Sequence, residues 1–427
     1  MAERADWDKR LDGKAARKAL AELYGSTAKA QAARYAELAR LASADAGPAA
    51  SDLRFYSAPG RTELGGNHTD HNRGRVLCAA VALDAVACVA PVEGSVARLV
   101  SEGYPEPIAV DLSRLDPVPA ERGTTAALVR GVARKMAERG ARIRGFSGRI
   151  ASSVLPGSGL SSSAAVEVLL GAIMADLGGV KISAADLAKI GQYAENEYFG
   201  KPCGLMDQMA SAVGGVVAID FADPASPLVE RIDYDFDDKG YELVVVNTGG
   251  NHADLTADYA AVPAEMKAVA AFLGASCLRE VEPSLLVERG PEIRKACGDR
   301  ALLRAFHFAS ENARVVEMKE ALEADELGTY LKLVKKSGRS SWEVLQNVYA
   351  PHAPAEQGLS LALALSERLL GKKGAWRVHG GGFAGTIQAY VPKSRSKEYA
   401  ELMGSFFGSS AVIPIALRGP GALRVEV

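Results

Sequence analysis

The chain has 427 residues, of which 48% are hydrophobic and 24% charged, and its formal net charge is −2. That length exceeds the usual single domain and predicts two domains sharing a cleft, while the near-neutral charge offers no footprint for nucleic acid or an anionic membrane. No apolar run reaches the length of a membrane span, no signal-peptide pattern is present, and five scattered cysteines lack CxxC spacing, so a cytoplasmic protein with buried thiols is expected.

Residues 8–44 are rich in Ala, Leu, Lys, Arg and Glu, and spacings such as Leu20, Leu23, Tyr24 and Tyr35, Leu38, Leu41 predict amphipathic helices. Residues 46–50 break that pattern as a short linker, which sets residues 1–50 apart as an N-terminal helical segment. The apolar run 76–92 predicts buried strands with 96–110 as their hairpin partner. Residues 126–138 read as a helix, 145–152 as a strand, and 164–177 and 184–198 as helices. A second phase begins near residue 225, dividing the remainder into domains at 51–225 and 226–427. It opens with a strand at 241–247, followed by helices near 261–273, 300–323, 326–349 and 358–370. A glycine-interrupted strand-loop-strand spans 375–391, and closing strands fall within 412–427. Strands and helices mixed without strict βαβ alternation predict the α+β class.

Four segments carry chemistry. The first, residues 57–72, sets Arg61, Asn67, His68, Asp70 and Asn72 among glycines, the composition of a loop that grips a polyhydroxylated molecule. The second, Pro156-Gly157-Ser158-Gly159-Leu160-Ser161-Ser162-Ser163, runs straight into an Ala/Val/Leu helix. Unpaired N–H groups at a helix N-terminus attract phosphate, and serine hydroxyls can serve phosphate or Mg²⁺. The segment is not a Walker A motif, because no Gly-Lys-Ser/Thr follows. The third places Glu195 near a helix end and Asp207 among Gly204, Leu205, Met206 and Met209; an acid in apolar company needs a partner or a task. The fourth, residues 379–386, is a glycine loop between two strand-like runs and is weak evidence alone. Isolated His252, His307 and His352 read as surface or satisfied core positions. Lys335-Lys336 and Lys372-Lys373 read as solvated helix ends, and Trp342 and Trp376 as packing residues.

Together these segments resemble the GHMP small-molecule kinases, and the Gly60-Arg61, His68-Thr69-Asp70, Asn72 and Cys203-Gly204-Leu205-Met206-Asp207-Gln208 patterns resemble the galactokinase family within them. The resemblance covers roughly residues 55–391. It implies two α+β domains with the active site between them, and an ATP- and Mg²⁺-dependent sugar 1-kinase acting on a small-molecule substrate. Under it Asp207 and Arg61 are catalytic, and Asn67, His68, Thr69, Asp70, Gly204 and Tyr259 bind the sugar. Gly157, Ser158, Gly159, Leu160, Ser161, Ser162 and Ser163 then wrap the nucleotide, with Ser163 and Glu195 serving Mg²⁺. The family usually has Glu where this chain has Asn67, and Val-Asn-Leu-Ile where it has Thr62-Glu63-Leu64-Gly65, so Glu63 is a candidate replacement carboxylate. Another sugar (N-acetylgalactosamine, a uronate or arabinose) and an inactive sugar- and ATP-binding regulator are the alternatives. A monomer is expected, with a dimer left open.

Overall fold

A computed structural model describes residues 2–104, 106–155, 157–250 and 255–427; Pro156 of the expected phosphate loop and His252 lie outside them. The framework rests on two long antiparallel strands, β1 (Arg54–Gly65) and β2 (Arg75–Pro91). Both are almost continuously buried because both faces of their sheet are covered. Phe55, Val86 and Cys88 point to helices Lys14–Tyr24 and Ala28–Ala46 of the N-terminal segment. Their neighbours Tyr56, Ala85 and Ala87 point to the opposite core. This is the period-two alternation of a strand, with each face given its own helical layer.

β3 (Val96–Ser101), β4 (Ile108–Asp111) and β5 (Phe146–Ser152) extend the sheet in the order β1-β2-β5-β3-β4. The expected pairing of 96–110 with the preceding strand is therefore corrected. Residues 96–111 form their own hairpin, and β3 lies parallel to β5. The second half of β2 already pairs with β5, leaving no free edge there for β3. β6 (Val216–Asp220), paired with the first half of β2, and β7 (Leu228–Ile232) complete this part of the sheet.

The second sheet has the order β11-β8-β10-β9, from β8 (Tyr241–Asn247), β9 (Ala375–His379), β10 (Thr386–Pro392) and β11 (Val412–Ile415). Helices Gly358–Leu370 and Ser396–Phe407 pack on the face carrying Val244, Val246 and Ile387. Helix Leu327–Ser340 packs on the face carrying Leu243, Val245 and Tyr390. The α+β expectation holds. In space, β7 and β12 (Leu423–Val425) lie in the first sheet although both fall beyond residue 225. Two helices end in wider π turns, Ala194–Phe199 and Ser341–Leu345, and these turns carry Glu195 and Ser341 to the cleft side.

Asp84 ties three distant segments together. It is fully buried and accepts from Arg34 Nη1 at 2.7 Å, Tyr24 Oη at 2.5 Å, Arg418 Nη1 at 3.1 Å and the Ser57 hydroxyl. A buried charge of this kind is stable only while its partners remain, and losing one partner typically costs about 3–5 kcal/mol. Asp84→Ala should therefore lower unfolding free energy by about 3 kcal/mol or more in a urea titration. A loss below about 0.5 kcal/mol, the scale of a neutral surface change, would show that the clamp contributes nothing.

Candidate active site

Residues 57–65 are expected as a loop, but they form buried strand β1, with register shifts between Pro59 and Arg61 and between Glu63 and Gly65. Gly60 is required for close approach rather than for a turn. A Cβ there would lie 2.8 Å from the Leu160 carbonyl oxygen. That contact brings β1 against the second segment, and Arg61 N donates to Leu160 O at 3.0 Å.

Arg61 then reaches across the cleft floor. Its Nε donates to Asp207 Oδ1 at 2.7 Å, and its Nη1 donates to the Gly159 carbonyl. The second Asp207 oxygen accepts from the Ser161 hydroxyl. Burial pushes the Asp207 carboxyl up, but the Arg61 charge and the two hydrogen bonds outweigh it and hold the group below its ordinary value. Asp207 sits in the first turn of helix Met206–Val213 and makes side-chain bonds to Arg61 and Ser161.

Ser161 has φ of 59° and immediately precedes helix Ser162–Gly178, its hydroxyl turned to Asp207 instead of capping the helix. The N–H groups of that helix end therefore stay available to an anion. Ser163 Oγ lies 3.3 Å from Glu195 Oε1, whose carboxylate also accepts from Lys201 Nζ at 3.2 Å and Gln208 Nε2 at 3.0 Å. A hydroxyl and a carboxylate side by side at a phosphate loop suit Mg²⁺, which takes oxygen ligands and keeps several places for phosphate and water.

One cavity of about 260 Å³ gathers these groups, with buried Glu195 behind its wall. Of the expected residues, Arg61, Gly157, Gly159, Ser161, Ser162, Ser163, Asp207 and Tyr259 line it. Lys201, which the sequence reading did not single out, lines it as well, beside the glycine run Gly380, Gly381 and Gly382. The fourth segment is thus part of the site. Tyr259 Oη donates to Gly382 O at 3.1 Å, fixing the ring against that loop.

Other expected residues take supporting places. Ser158 is buried and donates to Leu155 O at 2.6 Å, and Leu160 is a core side chain, so in this segment only backbone groups of these two remain for a nucleotide. Thr69 is fully buried and its hydroxyl holds Gly66 O and Arg75 O. Asn67 is also fully buried and is saturated. Its amide donates to Gly380 O at 2.7 Å and Glu63 Oε1 at 3.1 Å, while its oxygen accepts from Asn347 Nδ2 at 2.9 Å and Ser341 Oγ at 3.3 Å. Asn67 and Thr69 shape the turn at 66–74 and leave no side-chain polar atom for a ligand. Glu63 does not supply a replacement carboxylate, because it is ion-paired with buried Arg377 on β9.

His68 and Asp70 are half-buried. The His68 ring contacts Gly381 O at 2.9 Å, and burial pulls its pKa down to about 4, leaving the ring neutral at pH 7. Asp70 lies against Gly204, where a Cβ would fall 2.0 Å from Asp70 Oδ2. Only glycine lets the 203–205 backbone pass this carboxylate. His307, read as a satisfied core position, is that: its ring bonds Ser340 Oγ and Asn67 O.

The same turn is anchored from beneath by Glu311, whose Oε1 accepts from Gly66 N at 3.1 Å and Ser337 Oγ at 2.6 Å. Burial opposes its ionisation, but the Arg314 and Arg377 charges and the Ser337 bond hold the carboxyl down at about 2. A depressed folded-state pKa stabilises the fold above the unfolded value and is lost as pH falls through the folded one. Between pH 4.5 and about 2 this carboxylate should therefore cost the protein about 3 kcal/mol. Unfolding titrations of wild type and Glu311→Gln at pH 7 and pH 3 check this: the difference between them should shrink at pH 3, and a difference that does not change with pH contradicts it.

Comparison with known proteins agrees with this geometry. The family model "Galactokinase galactose-binding signature" matches residues 47–91, and "GHMP kinases N terminal domain" matches 127–215. A galactokinase of Actinobacillus pleuropneumoniae serotype 3 is 33% identical over 342 residues, covering 79% of this chain and 85% of the relative. A galactokinase of Glaesserella parasuis serovar 5 is 32% identical over 350 residues, covering 81% and 87%. Among solved structures, Lactococcus lactis galactokinase complexed with galactose superposes with a TM-score of 0.77 at 23% identity, covering 93% of this chain and 99% of that one. Methanococcus jannaschii mevalonate kinase superposes at 0.60 with 15% identity, covering 85% and 98%. With cleft, fold and relatives in agreement, this chain belongs to the galactokinase family of the GHMP kinases.

Proposed function

We propose that this cleft transfers the γ-phosphoryl group of ATP to the C1 hydroxyl of galactose, giving galactose 1-phosphate and ADP. The observation that carries the reading is the Arg61–Asp207–Ser161 arrangement, which joins an ion pair of buried Arg61 and half-buried Asp207 to the open end of helix Ser162–Gly178. A carboxylate that orients a hydroxyl and a helix end that holds phosphate thus share one wall.

Phosphoryl transfer depends mainly on positioning and on stabilising charge, with little covalent work left to the protein. In the proposed roles, backbone groups of 157–163 and the hydroxyls of Ser162 and Ser163 hold the nucleotide phosphates. Ser163 and Glu195 would hold Mg²⁺, which when bound neutralises charge on the β and γ phosphates. Asp207, ionised at neutral pH, accepts the hydrogen bond of the C1 hydroxyl and turns its oxygen lone pair toward phosphorus. Since Arg61 keeps this carboxylate a weak base, the proton passes to Asp207 late, as the new O–P bond forms. Arg61 remains positively charged beside the reacting oxygens. The proposed sugar contacts are the Gly204 backbone, Tyr259, and His68 and Asp70, the last two carried on a turn that Asn67, Thr69 and Glu311 hold rigid.

Asp207→Asn preserves shape but removes the charge. Galactose-dependent ADP release should fall by about 10²- to 10⁴-fold while thermal melting and ATP binding persist. Near-normal turnover in a folded variant would contradict the assignment. Glu195→Gln should raise the Mg²⁺ concentration needed for half-maximal turnover, read from the same assay across a Mg²⁺ series; an unchanged requirement would remove Glu195 from that role.

A further inference from the structure

Lys335-Lys336 and Lys372-Lys373 are far apart in sequence and read as separate solvated helix ends, but the fold brings Lys335, Lys336 and Lys372 into one concavity. β9 is an edge strand of the second sheet, and Trp376 on it stands on the face opposite Arg377. Helix Leu327–Ser340 and the end of helix Gly358–Leu370 flank that edge, leaving a cleft of about 460 Å³. Its lining holds Lys332, Lys335, Lys336, Arg339 and Lys372 against one carboxylate, Glu367. The whole protein carries a net charge of −2, so this concentration of cations is local.

Among the described residues, the cations of helix Leu327–Ser340 lack the ion-pair partners that cations of several other helices have. Lys18–Glu22, Arg134–Glu138, Lys319–Glu323 and Lys397–Glu401 are opposite charges at i,i+4 and form ion pairs. In contrast, Lys332 and Lys336, and Lys335 and Arg339, set like charges at the same spacing. Like pairs at i,i+4 destabilise a helix; where they recur, at Arg130/Arg134 and Arg300/Arg304, each arginine is ion-paired to a carboxylate. Among the described residues none of these cations makes an ion pair; Lys335 Nζ only approaches Gly371 O at 3.5 Å and lies 5.5 Å from the Trp376 ring centroid. Burial, with Arg339 and Lys332 adding repulsion that Glu367 only partly offsets, lowers the Lys335 ammonium below its ordinary value.

We propose that this cleft is a second binding site, for a small oligophosphate held by Lys332, Lys335, Lys336, Arg339 and Lys372 with Trp376 as its apolar wall. Adjacent phosphoryl groups place several charges within a few ångströms, as this convergent set requires, and lysine and arginine are the usual partners of phosphate. A polymer would need a track of positive charge continuing beyond the cleft, which the near-neutral remainder of the chain does not offer. The site is separate from the phosphate loop and does not depend on the proposed transfer reaction.

Isothermal titration of the full chain with inorganic tripolyphosphate in Mg²⁺-free buffer tests it. The wild type should show two saturable sites, the phosphate loop and the cleft. Lys335→Gln/Arg339→Gln and, independently, Lys332→Gln/Lys336→Gln should each weaken one site by about tenfold or more while galactose-dependent turnover stays unchanged. The proposal is overturned by a single site in the wild type, by a second site that both double variants leave intact, or by salt-sensitive heat that never saturates.

Discussion

The Arg61–Asp207 ion pair is the constraint on which the rest of the site depends. Arg61 comes from a buried strand, Asp207 from the first turn of a short helix, and Ser161 and Gly159 from the loop between them in space. Arg61 alone would be an expensive buried charge; paired with half-buried Asp207 it fixes the approach of three segments. The same pair sets the chemistry, because the guanidinium keeps the carboxylate ionised and limits its basicity. Positioning and reactivity are therefore tied to one contact. That contact forms only if Gly60 lets β1 press against Leu160.

A second pair, Glu63–Arg377, explains how the chain accommodates asparagine at position 67. The carboxylate four residues earlier faces Arg377 in the interior, and Asn67 bridges Glu63 to the Gly380 carbonyl. Two strands from different sheets, β1 and β9, are thereby joined beneath the sugar turn. Asn67 has no spare donor or acceptor, so its contribution is to hold His68 and Asp70 in place.

Much of this was legible in the sequence. The 241–247 strand and the 358–370 helix were readable because their apolar periodicity survives into the structure with the same bounds. Asp207 and the serine run stand out in the sequence because a charge among apolar residues, and glycines before a helix, are local signals, whereas a role for Arg61 is implied only by the family resemblance. Residues 57–65 misled, since Pro-Gly and Gly-Gly look like turn residues; here they mark bulges and close packing in a covered strand. The burial of Ser158, Asn67 and Thr69 was not legible, because polarity alone does not say whether a side chain meets a ligand or a neighbour. Lys201 carried no local signal at all. Its importance comes from its approach to Glu195 after the π turn, a tertiary event.

The most direct measurement of the central claim is a crystal structure of the protein with galactose and a non-hydrolysable ATP analogue. The account predicts the galactose O1 within hydrogen-bond distance of an Asp207 carboxylate oxygen, facing the terminal phosphorus, with the phosphates at the start of helix Ser162–Gly178. A sugar bound with O1 turned away from Asp207, or phosphates seated elsewhere, would contradict it.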